Sequence, residues 1–145
     1  MPTAFSSITE HLVELFKAAP AISPHIFRAR DRAMSKSALT AISVQWDGAL
    51  PTPGEIKGAP VRWASRFTVE CYARTTTEFP DVAVDPLLLQ VYDRIAADTT
   101  LGGLVAYVGE PVLESEFSAE GDRTGWVRMT YAVDHETENS TLGQP

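Results

Sequence analysis

Cysteine is nearly missing from this chain. Cys71 stands alone among 145 residues, which excludes an internal disulfide framework and any structural zinc site built on cysteines. A reducing, cytosolic setting suits such a sequence. Long apolar runs are missing too, since none approaches the roughly 20 residues that a bilayer-spanning helix needs. The opening stretch MPTAFSSITEHLVELF has no leading positive charge and no small-residue cleavage site after its apolar part, so a secretory signal is not expected. Basic residues are scarce. Twelve Lys/Arg face nineteen Asp/Glu, for a formal charge of -7, and such a balance argues against a general nucleic-acid binder. The usual marks of catalysis are also lacking. His11, His25 and His135 form neither HExxH nor a Cys-His metal pattern. There is no GxSxG elbow, no GxxxxGK[ST] loop and no GxGxxG turn. Gly102-Gly103 suits a tight turn, but no lysine follows it to hold phosphate. The expectation is a protein that is not an enzyme and uses no cofactor and no metal.

What is present is material for one core. A hydrophobic fraction of 44% and a charged fraction of 21% match an ordinary globular domain, and 145 residues make one domain of usual size. The charge is unevenly spread. Residues 1–74 carry nine Lys/Arg and six Asp/Glu, a net of +3, and residues 75–145 carry three and thirteen, a net of -10. Two solvated faces account for this, as does a basic surface that meets an acidic one on another copy; such complementarity governs steering and register more than affinity.

Periodicity gives the elements. Ser7 and Glu10 fit a capping box, and Ile8, Leu12, Leu15 and Phe16 form one apolar stripe at helical spacing, with Pro20 as the stop. A strand is expected over His25–Arg30, a second from Leu39 to Trp46, and a long loop from Asp47 to Pro60, where Gly and Pro cluster. The strongest alternation runs from Val61 to Arg74 and predicts one buried face and one that is wet or meets a partner. After a connector from Thr75 to Val84, Asp85-Pro86 suits a helix start, with Leu88, Val91, Tyr92 and Ile95 as its stripe. Strands over Pro111–Phe117 and Thr124–His135 follow, joined by a turn at residues 119–122. The order α-β-β-β-α-β-β predicts an α+β fold: a mostly antiparallel or mixed sheet of about five strands with two helices on one face. Residues 1–137 form the single domain, and the polar residues 138–145 read as a disordered tail.

Few residues invite a functional reading. Cys71 falls on the inward parity of its strand, as a buried inert thiol does. His135, in Asp-His-Glu, reads as a solvated strand end. Glu114 and Glu116 share one strand face, as paired carboxylates or as an acidic outer surface. Arg28, Arg30, Arg32 and Lys36 form the one basic cluster, open to nucleic acid, an acidic protein surface or water. A small-ligand pocket lined by Trp46, Trp63 and Tyr72 is a further option.

The stretch DPLLLQVYDRIAADTTLGGL, followed by EPVLESEF and GWVRMTYAVDHET, resembles the tail terminator proteins of long-tailed phages and prophages, the minor tail protein U type. The similarity rests on the Asp-Pro pair, the DTTLGGL turn, the acidic strand and the final alternating strand, and the preceding helix and strands fit its order, so it covers the chain to about Glu138. The resemblance implies a structural virion protein without catalysis. Such proteins form a ring, typically hexameric, on the finished tail tube; the ring stops polymerisation, offers a surface to the head connector and lets DNA pass without specific binding. It implies assembly in the host cytoplasm and residence in the virion tail. On this basis Arg28, Arg30, Arg32, Glu114 and Glu116 are expected at subunit or tube contacts. Another head-tail joining protein, or a small α+β ligand-binding domain, is the alternative.

Overall fold

A computed structural model describes residues 2–28, 39–52, 59–118, 123–138 and 141–145. Its elements follow the order helix α1 (Ala4–Lys17), strands β1 (Ile26–Arg28), β2 (Thr40–Pro51) and β3 (Val61–Thr75), helix α2 (Pro80–Ala96), then strands β4 (Tyr107–Val108), β5 (Val112–Ser118) and β6 (Arg123–Thr137). The fold is α+β, as the alternation and helical stripes imply. Strand order is β1-β2-β3-β6-β4, with β5 also beside β6. Among the described strands only β1 and β2 run parallel; every other pair is antiparallel.

Both helices cover one face of the sheet. From α1, Ile8, Leu12, Val13 and Phe16 join the core, and from α2, Val84, Leu87, Val91 and Ile95. They meet one parity of the strands: Ile42 and Val44 of β2, Phe67, Val69 and Cys71 of β3, and Val127, Met129, Tyr131 and Val133 of β6. Register explains the match, because Ile42 lies beside Cys71 and Cys71 beside Val127, so one inward row crosses three strands.

Several boundaries differ from the sequence expectation. Helix α1 is capped by Thr3, whose hydroxyl accepts the Ser6 N–H at 3.1 Å; Ser7 lies inside the first turn, so the Ser7–Glu10 capping box does not form. Helix α2 begins five residues before Asp85, with Phe79 as N-cap and Pro80 at its first position, where a missing N–H costs nothing. Pro86 is thus interior, and its lost bond would have gone to the carbonyl of Val82 on the exposed side. The buried stripe is Val84, Leu87, Val91 and Ile95, and Tyr92 is 39% exposed. The expected loop from Asp47 is strand as far as Pro51: a bulge between Trp46 and Ala49 takes up the Asp47-Gly48 turn signal, with Gly48 at φ 109°. Residues 53–58 of that loop and the turn at 119–122 lie outside the described residues. The outer parity of β3 is not uniformly wet. Thr68 and Tyr72 are buried, Thr68 donating to Asp47 and Tyr72 packing on Trp126 with centroids 4.6 Å apart.

Two contacts tie the layers. Arg94 of α2 donates to the carbonyls of Leu15 at 2.8 Å, Phe16 at 3.2 Å and Ala18 at 3.0 Å, and to that of Pro20, so it satisfies the open C-terminal end of α1. At the other end of α2, a Cβ on Gly125 would lie 2.7 Å from the Pro80 carbonyl, so glycine lets the helix start approach β6. Residues 141–145 run back to the beginning of α1, where the Leu142 carbonyl accepts the Ala4 N–H at 2.7 Å. No helix among the described residues is long and apolar enough to cross a membrane.

Candidate functional site

Strand β5 is exposed at every one of its seven residues. It hydrogen-bonds to β6 on one side, and among the described residues no strand pairs with its other edge. Its side chains alternate. Leu113, Ser115 and Phe117 stand beside Met129, Val127 and Gly125 on the helix side, and Glu114 and Glu116 stand beside Arg128 and Trp126 on the second face. Glu114 therefore completes a row. Glu70 of β3 pairs in register with Arg128 and binds it at 3.0 Å, and Arg128 lies next to Glu114.

On the helix side a groove of about 670 Å³ runs between α2 and this edge. Val82, Leu88, Leu89 and Tyr92 of α2 face Pro111 and Leu113 across it. Leu89 is 65% exposed and Leu113 52%. The Tyr92 hydroxyl donates to Glu110 at 2.8 Å; this bond, which removes the proton from easy loss, and the nearby carboxylate charge raise the Tyr92 pKa. A strand with one open edge beside an exposed apolar groove is a surface suited to another polypeptide.

The residues singled out in the sequence are not gathered here. Glu114 and Glu116 lie on β5. Arg28 lies at the far edge of the sheet and on the helix face, where it binds Glu10 at 3.0 Å and the Ser6 hydroxyl at 2.5 Å. Arg30, Arg32 and Lys36 fall outside the described residues. Trp46, Trp63 and Tyr72 line no common pocket: the two tryptophans pack on Phe5 on the helix side, with centroids 4.6 and 5.5 Å away, and Tyr72 is on the second face. Cys71 is buried, and burial followed by the charge of Glu70 pushes its thiol up to about 12, which leaves it unreactive.

His135 departs most from expectation. It is 1% exposed rather than solvated. Phe5 covers its ring at 5.2 Å, its Nε2 lies 2.6 Å from Ser65 Oγ, and its Nδ1 has no hydrogen-bond partner among the described residues. Burial lowers its pKa, partly opposed by the Glu136 backbone and the Asp134 charge. A serine beside a histidine invites a nucleophile reading, yet Ser65 is also 1% exposed, so no substrate reaches its oxygen. The alternation of β6 carries this signal, since His135 shares the inward parity of Val127, Met129, Tyr131 and Val133.

Elsewhere, Asp98 accepts from His11 at 2.8 Å through one oxygen and from the Gly102 N–H at 2.9 Å through the other. These two bonds lower its pKa and fix the turn after α2, where Gly102 and Gly103 take φ of 67° and 89°. Among the described residues no three His, Cys, Asp or Glu side chains are placed to hold a metal ion. No family model matches the chain, and no curated protein matches it significantly.

Proposed function

We propose that this protein is a structural assembly subunit of a tailed phage or prophage, of the tail terminator kind. In this reading copies close into a ring, hexameric by analogy with the resembling family, on the end of the tail tube. The ring stops tube growth, presents a surface to the head connector and passes DNA without specific contacts. It carries out no reaction and uses no cofactor. The observation that carries the reading is β5, a seven-residue strand exposed on both faces at the end of a sheet, an edge by which a ring subunit would hold a tube or connector protein. Monomeric proteins blunt or cover such edges, and assembly proteins use them to join another chain. The resemblance of the segment from Asp85 to Thr137 supplies the phage tail setting.

Light scattering on a sizing column over a wide concentration range, with and without purified tail tubes, tests the proposal. Growth from the 15.8 kDa monomer to one closed oligomer supports it, and six copies point to the terminator rather than another neck protein. A chain that stays monomeric in both conditions overturns it. The apolar groove beside α2 favours a second reading, a small-ligand-binding domain; saturable binding of an apolar dye there by a permanent monomer would establish that instead.

A further inference from the structure

We infer that the β5 edge accepts, by strand addition, an extended segment of a different protein that carries cationic side chains at alternate positions and apolar side chains between them. This builds on the assembly reading above and names the chemistry of the partner.

The second face of the sheet sets the charge pattern. Across one row the charges run Glu70, Arg128, Glu114, that is, minus, plus, minus. Two residues along β5, Glu116 ends the neighbouring row behind Tyr72 and Trp126. Neither Glu114 nor Glu116 forms an ion pair with any described residue. A strand laid beside β5 places two of its side chains, two residues apart, against these carboxylates. Opposite charges there stabilise the pair and like charges destabilise it. The intervening side chains of the added strand point to the helix side, beside Leu113, where the 670 Å³ groove between Leu88, Leu89, Tyr92 and Pro111 lies open. Apolar groups fit it. Main-chain bonds to the edge would hold the segment, and the two faces would choose its sequence.

A second copy of this chain fits poorly. Full-length antiparallel pairing of two β5 edges about a twofold axis sets Glu114 against Glu116 of the other copy, twice. Extending the sheet from β5 to β1 of a neighbour offers three residues among those described. It also sets Phe27 toward the glutamates, because Arg28 shares the helix face with Ile26 and is held by Glu10. A foreign basic strand meets neither objection.

The test uses the full chain, labelled with ¹⁵N, and an acetylated, amidated heptapeptide of alternating lysine and valine. Amide shifts and slowed hydrogen exchange are expected along Val112–Ser118. Glu114→Lys with Glu116→Lys should weaken binding at least about tenfold. The control pair Glu78→Lys and Glu136→Lys makes the same change in formal charge on exposed residues away from the edge, and should weaken it less than about twofold. A peptide N-methylated at alternate residues should not bind. Equal loss in the two charge-reversal pairs, shifts that avoid β5, or no binding at millimolar peptide would each overturn the inference. A closed oligomer that ignores the peptide removes this inference and leaves the assembly reading. Binding at β5 by a chain that stays monomeric even with tail tubes keeps the docking edge and removes the assembly reading.

Discussion

His135 is the residue with the clearest pH consequence. Its folded pKa lies below the ordinary histidine value of 6.5 because burial disfavours the charged ring. Between that lowered value and 6.5 the unfolded chain binds more protons than the folded one. The neutral ring's contribution is therefore complete above about pH 6.5 and lost as the pH falls below it. Urea midpoints measured from pH 7.5 to 5 should fall for the native protein, and the fall should be shallower for His135→Gln. An equal fall in both would show that His135 is not its source. Ser65→Ala removes the side-chain hydrogen-bond partner of that ring among the described residues and should cost about 1–3 kcal/mol, the usual penalty for an orphaned buried polar group.

At the scale of the elements, two contacts set how the helices sit. Arg94→Ala removes a donor from four carbonyls at the end of α1, of which only that of Phe16 keeps another, the Ile22 N–H, among the described residues, and we expect a loss of about 2 kcal/mol, with Arg94→Lys recovering only part because an ammonium cannot span the fork. Gly125→Ala forces a methyl group against the Pro80 carbonyl and should cost about 1–3 kcal/mol, as overpacking does; chemical denaturation of each variant decides. These contacts also mark the limit of what could be read from the residues alone. The stripe of α1 and the alternation of β3 and β6 were legible because each needs only its own period. The start of α2 was not, because Pro80 and Pro86 are equally good first-turn residues and only the packing of Val84 and Leu87 selects the earlier one. Strand β4 has two residues, too few for any period, and the Asp47-Gly48 bulge carries the same residues as a turn. The acidic alternation of Glu114 and Glu116 was visible; that β5 ends the sheet was not, because strand order depends on long-range pairing. Arg94 gave no signal, since its carbonyl partners carry no side-chain signature.

For the whole molecule, the separation of stability from docking is the informative quantity. Leu89 is 65% exposed and contributes little to the core, so Leu89→Asp should change the unfolding free energy by less than about 0.5 kcal/mol. The same change places a carboxylate in the groove and should abolish joining to other chains, which light scattering against tail tubes reads directly. A large stability loss with intact assembly would mean that the groove belongs to the fold.

Strand β6, interior to the sheet, is also the last of the described elements to leave the ribosome. Strand β6 fills the gap between β3 and the β4 and β5 edge along its whole length, and Trp63 bonds to Thr137 across a separation of 74 positions. Until β6 emerges, β3 offers a nascent chain its long, half-apolar flank with nothing beside it. Crowded polysomes bring many such flanks together, and strand exchange between neighbouring nascent chains competes with folding. Expression yield should accordingly depend more on synthesis rate and on chaperones that shield extended segments than on the stability of the finished protein.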